Sequence, residues 1–261
     1  MSAIDRLLDV MSQLRDPESG CPWDQQQTFR SLVPYTLEEA YEVADAIEQQ
    51  VPDDIRDELG DLLFQVVFYA QIAKEQQWFD FEQIANAIAE KLIRRHPHVF
   101  AGEKVDSVAA QTEAWEEHKR HERESKQRDK TPSALEGVAS ALPALVRAQK
   151  LQRRAAKVGF DWDQIAAVYD KVQEEIIELQ QAHQTKDKDK IEDELGDVLF
   201  AVVNLARFVD VDAETALRRS SQKFERRFHQ VEHLVAEQNA DMKAMTLNQL
   251  EQLWKVVKQH E

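Results

Sequence analysis

The octet Asp57-Glu58-Leu59-Gly60-Asp61-Leu62-Leu63-Phe64 returns, 136 positions later, as Asp193-Glu194-Leu195-Gly196-Asp197-Val198-Leu199-Phe200. Read onward from the first copy, Leu59, Leu62, Leu63, Val66, Val67, Ala70 and Ala73 recur at the spacing of one helical stripe, so the octet opens a helix. The second copy is apolar at every position of 198–203. A helix apolar on nearly every side is buried among several neighbours. A domain of roughly 120 residues has few helices with which to surround one of its own. Copies of the unit are therefore expected to pack together, within the chain or in a homo-oligomer.

The repeat extends outward from the octets. A second acidic cluster precedes each at the same offset, Glu38-Glu39-x-x-Glu42 and Glu174-Glu175-x-x-Glu178. Between 36–47 and 172–183 only four of twelve positions coincide, and three of those four are glutamates. Around the octets, 55–67 and 191–203 agree at ten of thirteen positions. Gly20-Cys21-Pro22-Trp23-Asp24-Gln25 matches Gly159-Phe160-Asp161-Trp162-Asp163-Gln164. Lys91, Arg94 and Arg95 match Lys223, Arg226 and Arg227; Trp115 and Lys119 match Trp254 and Lys258; His121-Glu122 matches His260-Glu261. A repeat this long is a pair of duplicated domains rather than a solenoid, whose periods are about 20–50 residues. The expected layout is a helical domain over 1–122, a polar linker over 123–136 and a second helical domain over 137–261.

Six glycines and seven prolines in 261 residues are too few for a sheet fold rich in tight turns. Together with the helical periodicity this predicts an all-α chain of tandem bundles. Forty-nine acidic against thirty-three basic residues leave a net charge of −16 with no strongly basic segment, which argues against nucleic-acid polymers and anionic membranes as partners. The single cysteine, Cys21, excludes an internal disulfide framework and fits a reducing compartment. The amino terminus lacks the pattern of a signal peptide, and no apolar stretch approaches the roughly 20 residues of a membrane helix. The expected location is the cytoplasm.

A duplication that drifts in its packing residues but keeps its carboxylates points to chemistry at the carboxylates. Glu175 and Glu178 share one helical face, as do Glu194 and Asp197. Facing each other beside a buried helix, they cannot all stay ionised without a counter-charge. Divalent cations supply it, and an all-oxygen set selects Mg²⁺ or Mn²⁺. Zinc is disfavoured because the motifs hold no Cys or His. A ferritin-like di-iron bundle is disfavoured because no glutamate has a histidine three positions on. The neighbouring basic residues, Lys171 before the first cluster, Lys186, Lys188 and Lys190 in the connection before Glu194, and Lys223, Arg226 and Arg227 on one helical segment, suit a phosphate-bearing ligand. Trp254 and Lys258, one helical turn apart, offer a stacking face and a further cation.

The pattern Glu-Glu-x-x-Glu followed by Glu-x-x-Asp, with the Lys-x-x-Arg-Arg segment and the carboxyl-terminal Trp, resembles the MazG nucleoside triphosphate pyrophosphohydrolases. The likeness covers both halves and includes Lys91-Leu92-Ile93-Arg94-Arg95-His96-Pro97-His98-Val99-Phe100, a signature of the two-domain bacterial form. The resemblance implies an all-α fold of the NTP pyrophosphatase type, a homodimer, Mg²⁺ dependence, and hydrolysis of ribo- and deoxyribonucleoside triphosphates to monophosphate and pyrophosphate. It also implies that Glu175, Glu178, Glu194 and Asp197 hold the metal, with Glu39, Glu42, Glu58 and Asp61 as counterparts. The expected substrate contacts are Lys171, Lys190, Glu192, Asp193, Asp197, Lys223, Arg226, Arg227, Trp254 and Lys258. Glu174, beside the ligands, is expected to accept or orient the proton of the attacking water. Gly60 and Gly196 are expected to admit a neighbouring helix or the nucleotide.

The halves differ in charge at two positions beside the acids. Lys171 corresponds to Tyr35 and Lys190 to Asp54, so the first half is anionic where the second is rich in lysine. A polyphosphate should prefer the second half, 137–261, as the main catalytic unit. Competing readings are a base-selective dUTP or dCTP pyrophosphatase and a dimeric regulatory or scaffold protein with vestigial sites. The second is disfavoured because all eight ligand positions are filled by acids.

Overall fold

The computed structural model describes residues 1–102, 107 and 133–260, and among these there are helices and no strand. The chain divides into two compact units, Met1–His121 and Glu122–Glu261. Of the linker expected over 123–136, residues 123–132 lie outside the described residues, as do Trp115, Lys119, His121, Glu122 and Glu261.

The first unit is built from α1 (Ala3–Leu14), α2 (Pro22–Gln26), α3 (Phe29–Gln49), α4 (Pro52–Glu75), α5 (Phe81–Arg95) and the short α6 (Pro97–Phe100). Local chemistry sets the starts. Ser2, Thr28 and Asp80 each close a capping box with the residue three ahead, satisfying amide donors that a helix leaves open. Pro52 and Pro97 stand at first helical positions, where the missing N–H costs nothing. Pro97 also ends α5 at Arg95, because a proline ring clashes with the preceding turn. Met11 from α1, Leu32 from α3 and Val67, Phe68 and Ile72 from α4 form the core. Arg15 ties the end of α1 to the end of α4: it pairs with Glu75 and donates to the Asp24 and Gln27 carbonyls. Burial alone would raise the Glu75 carboxyl, but hydrogen bonds from Arg15 and Gln71 outweigh it and hold it below the usual range.

The second unit repeats the plan with α7 (Ala144–Lys157), α8 (Ile165–Thr185), α9 (Lys188–Phe208), α10 (Ala213–Glu237), a 3₁₀ turn (Met242–Ala244) and α11 (Leu247–Gln259). α8 packs along α9 as α3 packs along α4, and α7 lies on α9 as α1 lies on α4. Two buried glutamines fasten α7: Gln149 donates to the Val211 carbonyl and Gln152 to the Phe200 carbonyl, each at 2.8 Å. Arg207 of α9 pairs with Asp161 in the tryptophan loop, anchoring that loop to the long helix. The two aligned glycines are required for different reasons. At Gly20 a methyl group would lie 2.5 Å from the Leu14 and Asp16 carbonyl oxygens, whereas Gly159 holds φ of +85°.

Burial of the repeated helix on every side, expected from its composition, is not met within either unit. Leu59, Leu63 and Val66 stand open on α4, and Leu195, Leu199, Phe200 and Val202 on α9. The reason is supply: among the described residues α4 has α1, α3 and α5 as its main neighbours, and these do not cover it all round. Nor does any part of the described chain approach Gly60 or Gly196, where a methyl group would meet nothing within 4 Å.

Candidate active site

The pairing of α8 with α9 sets Glu175 on the first opposite Glu194 and Asp197 on the second. Each offers a carboxylate oxygen within 4.8 Å of the other two. Glu194 and Asp197 reach one place because residues three apart on a helix share a face. Glu175 is buried, Glu194 half-buried and Asp197 exposed, so the cluster runs from the α8–α9 seam to solvent. In the first unit Glu39 and Glu42 of α3 meet Glu58 of α4 in the same way. Three of the four expected acids thus converge in each half, and the outlier differs: Glu178 in the second, Asp61 in the first.

Both outliers remain electrostatic neighbours. Partial burial, then the charges of Glu175 and Glu194, push the Glu178 carboxyl above the ordinary range. Glu39 is raised by burial first and then by Asp61, Glu42 and Glu58. Glu58 is raised by desolvation and then by Glu42 and Asp61. Glu39 Oε2 is enclosed and finds no hydrogen-bond partner, an arrangement that a bound cation relieves. Only carboxylate oxygens make up either cluster, a donor set for a hard divalent ion. These residues fit Mg²⁺ or Mn²⁺.

Lys171 sits one turn before Glu175 on α8. Its Nζ lies 2.8 Å from Glu175 Oε1 and 2.9 Å from Glu174 Oε1, and these contacts raise the ammonium above the usual lysine range. The residue expected at the substrate therefore rests on the carboxylates, and Glu174, the expected proton acceptor, is ion-paired. The signal was available in the spacing: Lys171 stands at i, i+3 and i, i+4 to the two glutamates. A groove of about 340 Å³ runs beside this pair, lined by Asp170, Gln173, Glu174, Ile177, Glu178 and Gln181. All six lie on one stripe of α8, so among the described residues a single helix forms the lining.

The lysine-rich connection is shorter than the sequence suggested. Asp187 caps α9 by accepting from the Asp189 and Lys190 amides, which starts the helix at Lys188. Lys188 and Lys190 therefore lie in the first turn of α9, and Lys186 ends α8 with φ of +60°. Glu192 and Asp193 follow on α9, both exposed.

The other expected substrate residues lie on α10 and α11, not on the pair that carries the carboxylates. Lys223, Arg226 and Arg227 are on α10, Trp254 and Lys258 on α11. Trp254 packs on the small core of Val231, Val235 and Val257 while the Arg227 guanidinium lies 5.9 Å from its ring centre. The sequence reading missed two aromatics here. Phe224 and Phe228, one turn apart, stack at 5.8 Å, and Phe224 lies 5.4 Å from Trp254.

Comparison with known proteins bears on the same helices. The model of the MazG nucleotide pyrophosphohydrolase domain matches twice, at residues 27–100 and 164–232. The chain belongs to the MazG nucleotide pyrophosphohydrolase family. The two MazG matches span α3 to α6 and α8 to most of α10, so each contains one carboxylate cluster and one Lys-x-x-Arg-Arg segment. Among MazG relatives, the chain is 52% identical to the nucleoside triphosphate pyrophosphohydrolase of Escherichia coli (strain K12), over 100% of this chain and 99% of that protein. It is 41% identical to the nucleoside triphosphate pyrophosphohydrolase/pyrophosphatase MazG of Thermotoga maritima, over 97% of this chain and 95% of that one. An uncharacterized protein of Bacillus subtilis, YabN, is 39% identical over 97% of this chain and 51% of its own length.

Proposed function

We propose that this chain hydrolyses nucleoside triphosphates to the monophosphate and pyrophosphate, and that the work is done at the α8–α9 carboxylates with Mg²⁺ as the resident ion. The observation that carries the reading is the convergence of Glu175, Glu194 and Asp197 within 4.8 Å, in a MazG chain that aligns end to end with named pyrophosphohydrolases. Glu175, Glu194 and Asp197, with Glu178 beside them, hold the ion. Bound there, Mg²⁺ neutralises phosphate charge and makes a water easier to deprotonate. Lys171 and Lys190 reach the phosphates from α8 and α9, and Lys223, Arg226 and Arg227 contribute the cationic face of α10. Glu174 orients the water that attacks the α-phosphorus once Lys171 has left it. Glu192 and Asp193 border the ribose and phosphates, while Trp254 and Lys258 face the nucleoside.

The working form in this proposal is a homodimer in the cytoplasm. Among the described residues the open apolar row Leu195, Leu199, Phe200 and Val202 and the groove lined by α8 both lack a cover that a second copy supplies. The lone Cys21 suits a reducing compartment. No helix of the described chain is long and apolar enough to cross a membrane. Light scattering should return twice the chain mass. Incubation with each nucleoside triphosphate, with Mg²⁺ or EDTA and separation of products, tests the reaction. Monophosphate and pyrophosphate, lost with EDTA, are expected; diphosphate and orthophosphate would overturn the assignment.

A further inference from the structure

Resting on the metal-ion reading above, we propose that the two carboxylate clusters differ in cation affinity. In the second half Lys171 serves as a built-in counter-ion that an incoming metal must displace, whereas the first half holds none at the matching position. The geometry separates them. Lys171 Nζ is 2.8 Å from Oε1 of Glu175, one of the three carboxylates placed to receive an ion. The corresponding residue is Tyr35, which carries no charge and packs its ring edge-on against Trp23 at 5.6 Å. Glu39, the counterpart of Glu175, accordingly keeps an enclosed Oε2 with no hydrogen-bond partner.

Two consequences follow from this difference. The first-half cluster takes a divalent ion readily, because the ion relieves like charge and an unpartnered oxygen without displacing any cation among the described residues. In the second half an ion competes with an ammonium already on Glu175, so it binds more weakly there until a triphosphate offers that ammonium a new partner. Lys171 then moves from carboxylate to phosphate, exchanging one charge-assisted contact for another. Metal and nucleotide thereby reinforce each other through Lys171 in the second half, a coupling that the first half lacks.

Mn²⁺ titration of the intact, nucleotide-free protein, followed by electron paramagnetic resonance, tests the proposal. Two classes of site are expected: a tighter one removed by Glu39→Gln and a weaker one removed by Glu175→Gln. Lys171→Met should tighten the weaker class about five- to tenfold, the scale of a partly exposed, doubly bonded ammonium. Lys171→Gln should do the same, with circular dichroism confirming the fold of each variant. Tyr35→Lys should weaken the tighter class. A single class of equivalent sites, or constants unmoved in both Lys171 variants, would overturn the counter-ion proposal while leaving the metal reading intact. Absence of any Mn²⁺ binding would overturn both.

Discussion

Glu175 and Glu194 stand on different helices and yet share one small volume of space, and that is the property of these residues that matters most. Replacing Glu194 with Ala removes a proposed ion ligand without emptying a core position, since the side chain is only half-buried. Turnover is expected to fall at least ~100-fold with little change in melting temperature; a steady-state assay beside a thermal melt checks this. A second residue-level consequence concerns pH. Glu39, Glu58 and Glu178 have carboxyls raised above the ordinary range by burial and by neighbouring acids. A group raised in the folded state contributes stability that is complete below the unfolded value and is lost as pH rises through the folded one. Metal-free protein should therefore lose this stability as pH climbs out of the carboxylate range, and Mg²⁺ should restore it. The Mg²⁺-induced rise in melting temperature is expected at pH 7–8 and should shrink toward pH 4–5, measured by calorimetry at constant ionic strength. The acids were legible from sequence because their spacing repeats while their surroundings drift. The hold of Lys171 on Glu174 and Glu175 was legible in principle from spacing, but charge complementarity with phosphate pointed the same lysine elsewhere.

Helices carry the site, and their ends decide where its groups stand. Asp187 begins α9 and so fixes the height of Glu194 and Asp197 along it, with Lys190 one turn before. Asp187→Ala removes the cap, with an expected loss of about 1 kcal/mol. Because the fraying end also carries Lys190, KM for the triphosphate should rise more than kcat falls; chemical denaturation with steady-state kinetics reads both. The helical nature of the octets was plain from the stripe that runs from Leu59 to Ala73. The start of α9 was not, because three lysines among aspartates look like a solvated connection until Asp187 is seen to accept two amides. The outward face of α9 stays open within its unit, as the few helices of a domain this size imply. Composition says that an apolar surface will be covered, but it does not say which helices of a small unit are free to cover it. Phe224 and Phe228 escaped notice because basic neighbours dominate their segment, and only folding brings Trp254 beside them.

At the scale of the molecule, duplication has produced two units with one plan and unequal sites. Each keeps a carboxylate cluster on its central helix pair, but among the described residues only the second places a lysine on it and lysines in the first turn of the next helix. Glu58→Ala is accordingly expected to reduce turnover less than tenfold, against the much larger loss from Glu194→Ala. Equal losses, measured on the same preparation, would assign catalysis to both halves. Catalysis by the second unit, as proposed, requires its acids to gather around an ion. Crystals soaked with Mn²⁺ and a nonhydrolysable nucleoside triphosphate, with anomalous scattering to locate the metal, test this directly. An anomalous peak among Glu175, Glu194 and Asp197, with phosphate oxygens beside it, is expected; nucleotide bound elsewhere, with those carboxylates metal-free and turned to solvent, would contradict a metal site there.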